Sequence, residues 1–212
     1  MTLPAKDARV NWVISSKNNE EVTSRYDLWA EAYDADLQSY GYRSPGIVAG
    51  MVGRYVAKDG SPLLDAGAGT GIMGEVLSVL GYQDITALDI SQGMLDVAER
   101  KGVYSGLKQA ALGEPLDFPS GHFGSVVCVG TLVGGHAPPS SFDELLRITR
   151  SGGHIVFTVR TDVYHGGGFK EKQEELEGSG AWRLVESTEP YVSVPGSNQP
   201  EGTNMIFVYQ VG

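Results

Sequence analysis

The 212-residue sequence predicts an α/β fold built on an open, mostly parallel sheet, and three observations carry that prediction. In Pro62-Leu63-Leu64-Asp65-Ala66-Gly67-Ala68-Gly69-Thr70-Gly71, a short apolar run ends on an acid. Glycines alternating with small residues follow, then apolar residues at helical spacing from Ile72: strand, turn, helix. A second strand-like run closes on Asp89, about one strand-helix-strand unit further on. Val126-Val127-Cys128-Val129-Gly130 is apolar throughout, as a central strand buried on both faces requires.

Composition sets the bounds. With 41% apolar and 20% charged residues the chain is ordinary globular protein, long enough for one well-buried domain. A formal charge of -10 argues against a broad phosphate-binding face, so no nucleic-acid partner is expected. The single cysteine, Cys128, cannot form a disulfide within the chain, and no metal site is expected. No apolar run is long enough for a bilayer span, and the first twenty residues mix charge with polarity, so a cytoplasmic protein without membrane association is expected.

From the N-terminus, residues 1–19 form a weakly periodic segment whose apolar patch is Val10, Trp12, Val13 and Ile14. Tyr26, Trp29, Ala30 and Tyr33 share one face of a helix. Ser44-Pro45 reads as N-cap and first turn of a helix through Ile47, Val48, Met51, Val52 and Tyr55, with Arg43 just before it. Lys58-Asp59-Gly60-Ser61-Pro62 is the turn into the first strand. Gly67, Gly69 and Gly71 let the next turn take positive φ and lie against a ligand, and Asp65 stands at the carboxyl edge where open sheets bind small molecules.

Gly69-Thr70-Gly71-Ile72-Met73-Gly74 also fits the dinucleotide fingerprint G-x-G-x-x-G, which leaves an NAD-linked oxidoreductase open. Against it, the tightest turn falls earlier, at Gly67, and a phosphate beside Asp65 would be repelled. A helix over 72–80 ends at Gly81, and a strand over 84–88 ends at Asp89. One carboxylate there can accept hydrogen bonds from both vicinal hydroxyls of a ribose. Ser91 is left to cap a helix over 92–101.

A third strand is expected at 107–110 and a fourth at 126–130, beside the first. The loop Val133-Gly134-Gly135-His136-Ala137-Pro138-Pro139 follows at the rim. His136 is either a solvated loop side chain or a neutral imidazole placed to take a proton. Ser140 or Ser141 caps a helix through Ile148 that ends at Ser151-Gly152-Gly153, and 154–159 is the fifth strand. Arg160 closes that strand on the ligand side, with Tyr164 in the loop beyond. A helix over 169–177 and strands over 181–187 and 203–211, the last two an antiparallel edge pair, complete the chain, with Pro195-Gly196-Ser197-Asn198-Gln199-Pro200 in the connection.

Asp65-x-Gly67-x-Gly69-x-Gly71 resembles the first motif of class I S-adenosylmethionine-dependent methyltransferases. Tyr26-Asp27-x-x-Ala30-x-x-Tyr33-Asp34, Ser91-x-x-Met94-Leu95, the 111–119 loop and Arg150-Ser151-Gly152-Gly153 are similar to later segments of that family. The resemblance covers roughly residues 20–212. Tyr42-Arg43-Ser44-Pro45, Val129-Gly130-Thr131-Leu132 and Val159-Arg160-Thr161 look like the methyltransferase-like group that includes the Williams-Beuren syndrome chromosome region protein. What this implies is a Rossmann-like three-layer sandwich of seven strands, ordered 3-2-1-4-5-7-6 with strand 7 antiparallel. A helical cover at 1–60 would overlie a cofactor-binding core at 61–212.

The implied cofactor is S-adenosyl-L-methionine, leaving as S-adenosyl-L-homocysteine. The resemblance assigns Tyr26, Trp29 and Tyr33 to its methionine end, and Asp65, Ala66, Gly67, Gly69, Thr70 and Gly71 to the cradle. Arg43, read from its place before the helix, is either a bidentate partner for the methionine carboxylate or a solvated surface arginine. Asp89 and Ile90 take the ribose, Met94, Leu112 and Gly113 the adenine, and Val129 and Gly130 the border of the methyl group. Leu112 stands where the family often has aspartate. Thr131, Arg160 and Tyr164 are candidate acceptor contacts, and His136 and Tyr33 candidate catalytic groups. The expected acceptor is a small molecule ahead of a protein; a cofactor-binding module without catalysis is the other alternative.

Overall fold

In the computed structural model, which describes residues 1–59, 61–197 and 202–212, the sheet runs β3-β2-β1-β4-β5-β8-β6. Its strands are β1 (Leu63–Ala66), β2 (Ile85–Asp89), β3 (Gly106–Gln109), β4 (Phe123–Leu132), β5 (Thr149–Arg160), β6 (Trp182–Ser187) and β8 (Thr203–Val211). The first five in that order are parallel, and β8 lies antiparallel between β5 and β6. The expected order therefore holds, with one addition. A two-residue strand, β7 (Tyr191–Val192), also pairs with β8, so the described residues form eight strands and the antiparallel insertion is the eighth. Gly60 and 198–201, within the expected turn and connection, lie outside the described residues.

The strand sequences are apolar at successive positions because both faces are covered. In β8, Phe207 and Tyr209 join Phe142, Phe157 and Trp182 in the core on one face, while Ile206 and Val208 join Val48, Val52 and Leu77 on the other. The first face is packed by α6 (Ser141–Ile148) and α8 (Phe169–Gly178); the second by α3 (Ser44–Tyr55) and α4 (Ile72–Val79). α3, counted by sequence with the cover, thus forms part of the sandwich layer.

The remaining N-terminal elements, α1 (Arg9–Ile14) and the long α2 (Asn19–Ser39), share a smaller core of Val13, Trp29, Leu37 and Tyr40. Asp36, 6% exposed, accepts from Trp29 Nε1 at 2.7 Å and from Arg9 Nη1 at 2.6 Å, so one buried carboxylate ties the two helices. Asn18 starts α2 by accepting from the Glu21 amide.

Several local expectations are corrected. Ser44 does not cap α3: its hydroxyl bonds Tyr191 and Ser193 from the far end of the chain, at 2.8 and 2.7 Å. Neither Ser140 nor Ser141 caps α6 through its side chain. That helix stops at Ile148 rather than at the glycines, because Thr149 already enters β5 with its hydroxyl on the Leu145 carbonyl. The 154–159 and 126–130 strands are each longer, and the segment after Arg160 is a short helix, α7 (Thr161–Gly166), not a loop. Ser91 caps α5 (Gln92–Lys101) as expected, accepting from Met94 N. Among the described residues no helix is long and apolar enough to cross a membrane.

Candidate active site

The site is built on the turn from β1 to α4, at the carboxyl edge where the sheet order reverses. Gly67, Gly69 and Gly71 have φ of 75°, 55° and 89°. At Gly67 the missing side chain has a second cause: a Cβ there would stand 2.1 Å from Thr131 Oγ1. At Gly69 a Cβ would meet no protein atom within 4 Å, since that position opens on a cavity. The turn is held from beneath, with Gly67 N and Ala68 N on the Leu88 carbonyl and Gly69 N on Asp89 Oδ2 at 2.8 Å.

Gly71 and Gly74 make room for Tyr104, whose hydroxyl would be 2.2 Å from a Cβ at Gly74. That hydroxyl donates to Asp65 Oδ2 at 2.6 Å. The last glycine of the apparent dinucleotide fingerprint therefore serves an internal tyrosine rather than a pyrophosphate. Asp65 is 1% exposed, and burial pushes its carboxyl up to about 7, against the Tyr104 hydrogen bond and with help from the charge of Asp89. Ala66 is fully buried in β1, and Thr70 turns its hydroxyl onto Asp34.

A cavity of about 660 Å³ lies over the turn, within the usual range for a cofactor site. Asp89 forms one wall. Its Oδ2 accepts from Gly69 N and its Oδ1 from Ser91 N at 2.9 Å, which leaves lone pairs on both oxygens for a ligand. Burial pushes its pKa up, the backbone donors oppose this, and Asp27 adds to the rise. Ile90, Met94 and Leu112 give the cavity a flat apolar side. Gly113 does not reach it; with φ of 96°, it lies under Pro138, 2.6 Å from where its Cβ would be.

Tyr26, Tyr33 and His136 close the opposite side. His136 Nδ1 lies 2.9 Å from the Gly134 carbonyl, which can only accept, so that nitrogen carries the proton. Nε2 then accepts from the Tyr26 hydroxyl at 3.0 Å. Burial lowers the histidine's pKa, and the imidazole is neutral at physiological pH. A smaller compartment continues from the cavity between Asp65, Thr70, Tyr33 and Tyr42. Val129 borders both.

Behind Tyr26, Tyr33 and Gly130 is another cavity, of about 610 Å³, lined also by Val10, Val13 and Ile14 of α1. Trp29 lines this second space and not the first; it supports Tyr33 edge-on at 4.8 Å. Arg160 also faces the second cavity, and Thr131 the first. Arg43 and Tyr164 line neither: the Arg43 amide donates to the Ser193 carbonyl, and Tyr164 packs on Phe207 at 5.2 Å. Sequence reasoning missed Asn19 and Val22 at the mouth of the first cavity, Tyr42 between compartments, Tyr104 beneath Asp65, and Asn204 in the second cavity.

These residues suit an adenosyl sulfonium. The bare backbone at Gly69 leaves room for it, and Asp89 lines the cavity with the unused lone pairs a sugar would need. A second buried carboxylate, Asp65, with no cationic partner among the described residues, lines the smaller compartment. Fold and site together define a nucleoside-binding α/β protein of the Rossmann-like class.

The methyltransferase domain family matches residues 64–157. Human methyltransferase-like protein 27 is 32% identical over 189 residues, which make up 85% of this chain and 76% of its own. Among solved structures, the cyclase SpnF superposes with a TM-score of 0.70 at 16% identity, over 93% of this chain and 98% of its own. A TehB-like S-adenosylmethionine-dependent methyltransferase from Corynebacterium glutamicum gives 0.57 at 19%, over 78% and 88%. At such identities the structural likenesses speak for the fold alone. The chain belongs to the methyltransferase family, and it is an enzyme of the class I, S-adenosylmethionine-dependent kind. These relatives favour methyl transfer over the nicotinamide alternative and over a module without catalysis.

Proposed function

We propose that this enzyme methylates a cytoplasmic small molecule held in the second cavity, with the cofactor in the first. The observation that carries the reading is the shared wall. Tyr26, Tyr33 and Gly130 border both spaces, so a ligand in one meets a ligand in the other only there. The second space, about 610 Å³ and lined by α1 on one side, is of a size that favours a compact acceptor. The free, buried Cys128 suits a reducing compartment.

In this reading Asp89 takes the ribose hydroxyls and the apolar side at Ile90, Met94 and Leu112 takes adenine. Gly67 and Gly69 lie under the sugar, and Asp65, with Thr70 nearby, faces the α-ammonium. Bound there, S-adenosylmethionine would supply an electrophilic methyl group to the acceptor's lone pair, with the carbon-sulfur bonding pair returning to sulfur. The protein contributes alignment and exclusion of water. The faces of Tyr26 and Tyr33 stabilise positive charge at the border.

Tyr33 does not act as the base. Burial, together with Tyr26, Asp89 and Asp34, holds its phenol far above the ordinary value, so it stays protonated. His136 lines the cofactor cavity and not the second, so in this reading a proton leaving the acceptor reaches its Nε2 through the Tyr26 hydroxyl, which borders both spaces and donates to it.

The test is a labelled-methyl assay on a cell extract separated into metabolite and protein fractions, after calorimetry has shown S-adenosylhomocysteine binding. Label should appear in the metabolite fraction. Label confined to protein overturns the small-molecule reading.

A further inference from the structure

The second cavity is lined by a buried side-chain amide that the fold does not use. Asn204 is 8% exposed and lines the cavity, yet among the described residues no hydrogen bond reaches its side-chain amide. A polar group with no protein partner that faces a cavity is completed by water or by a ligand that displaces it. It is paired in register with Arg160 across β5 and β8, and directly opposed residues point to the same face of a sheet. The Arg160 guanidinium is fixed by Asp162 through Nε at 3.0 Å and Nη2 at 2.7 Å.

The rest of the lining decides the ligand's body and charge. Val13, Leu37, Val133 and Val194 are aliphatic, and Tyr26, Trp29, Tyr33 and Tyr42 offer ring surface. Arg160 is the one charged side chain among the described lining residues, and none of those is a carboxylate. The guanidinium beside Asn204 favours the orientation that turns the amide oxygen toward it, which presents the amide N–H groups to the cavity.

We propose that the second cavity is specific for a flat, ring-bearing acceptor carrying a carbonyl or carboxylate oxygen, and that Asn204 is the residue that recognises this oxygen. The proposal rests on the acceptor reading above. It disfavours amine-bearing cations, because the described lining carries a guanidinium and no carboxylate. Asn204 acts by binding; the methyl-accepting atom is a separate one, at the Tyr33 and Gly130 border.

Three naphthalenes of equal body test it: 2-naphthoate, 2-naphthalenemethanol and 2-naphthylmethylammonium, each titrated calorimetrically into the full chain saturated with S-adenosylhomocysteine. The naphthoate should bind at least about tenfold tighter than the ammonium, as a charge-assisted hydrogen bond implies. Asn204→Leu should weaken naphthoate binding by about tenfold, while Arg160 still disfavours the ammonium, without changing affinity for S-adenosylhomocysteine, since Asn204 does not line the cofactor cavity. Asn204→Asp should reverse the preference in favour of the ammonium, which keeps the test decisive if the leucine variant does not fold. Val13→Trp, filling the space from α1, should abolish binding of all three.

Equal affinity for anion and cation, binding of none of the three, or naphthoate affinity within twofold in Asn204→Leu overturns the proposal. Failure of S-adenosylhomocysteine itself to bind the wild-type chain would strike the cofactor assignment instead.

Discussion

Replacing Asp65 with asparagine should make the apoprotein less sensitive to alkali while weakening its hold on the cofactor. Burial raises the Asp65 carboxyl from 3.8 to about 7 in the folded chain. Between those values the native state keeps a proton that the unfolded chain has released. The stability this confers is full below pH 4 and is lost as pH rises through 7. From pH 5 to pH 8 the wild type should lose about 3 kcal/mol from this group, at about 1.4 kcal/mol per pH unit. Asp65→Asn keeps an oxygen for the Tyr104 hydroxyl and has no such proton to lose. Urea unfolding of both proteins at the two pH values measures the difference directly. An ammonium bound at Asp65 favours the charged carboxylate, so S-adenosylhomocysteine binding should release a proton below pH 7 and tighten as pH rises in the wild type only. Parallel pH profiles of stability in the two proteins would refute the reasoning.

Two further outcomes follow from the site. Gly67→Ala places a Cβ 2.1 Å from Thr131 Oγ1 at φ of 75°, and should destabilise the chain by about 2–4 kcal/mol. Adding Thr131→Gly should restore part of that loss in a thermal melt. The His136 imidazole, buried and accepting from Tyr26, should titrate below the ordinary histidine value in an NMR pH series, and Tyr26→Phe should move it upward. A normal titration in both proteins would contradict the assigned geometry.

Much of the fold was legible because its signals are local. The strand-turn-helix pattern around Asp65, the second acid at Asp89, the Ser91 cap and the apolar run of β8 all rest on neighbours within one or two turns of chain. The misreadings fall where distant residues decide. Ser44 has a cap's chemistry, but Tyr191 and Ser193 claim its hydroxyl once the sheet closes. Tyr104 shows no motif, and its role follows from two glycines thirty residues earlier that leave a slot for its ring. The Tyr26, Trp29, Tyr33 stripe was read as one surface facing one ligand. In the fold Tyr26 and Tyr33 form a partition between two cavities, while Trp29, drawn to Asp36, lies wholly on the second side. Asn204 could not be found from sequence, because its unpaired amide becomes visible only with the lining of that cavity in place.

Central to the account is that Asp89 holds the ribose of an adenosyl ligand, and it also anchors Gly69 and Ser91, so a simple substitution would mix two effects. The direct measurement is therefore a double-mutant cycle by calorimetry. S-adenosylhomocysteine and its 2′,3′-dideoxy analogue are each titrated into the wild type and into Asp89→Ala. Removing the hydroxyls should cost about 1.5–3 kcal/mol in the wild type and little in the variant. Equal costs in both proteins would mean that the carboxylate and the sugar do not meet.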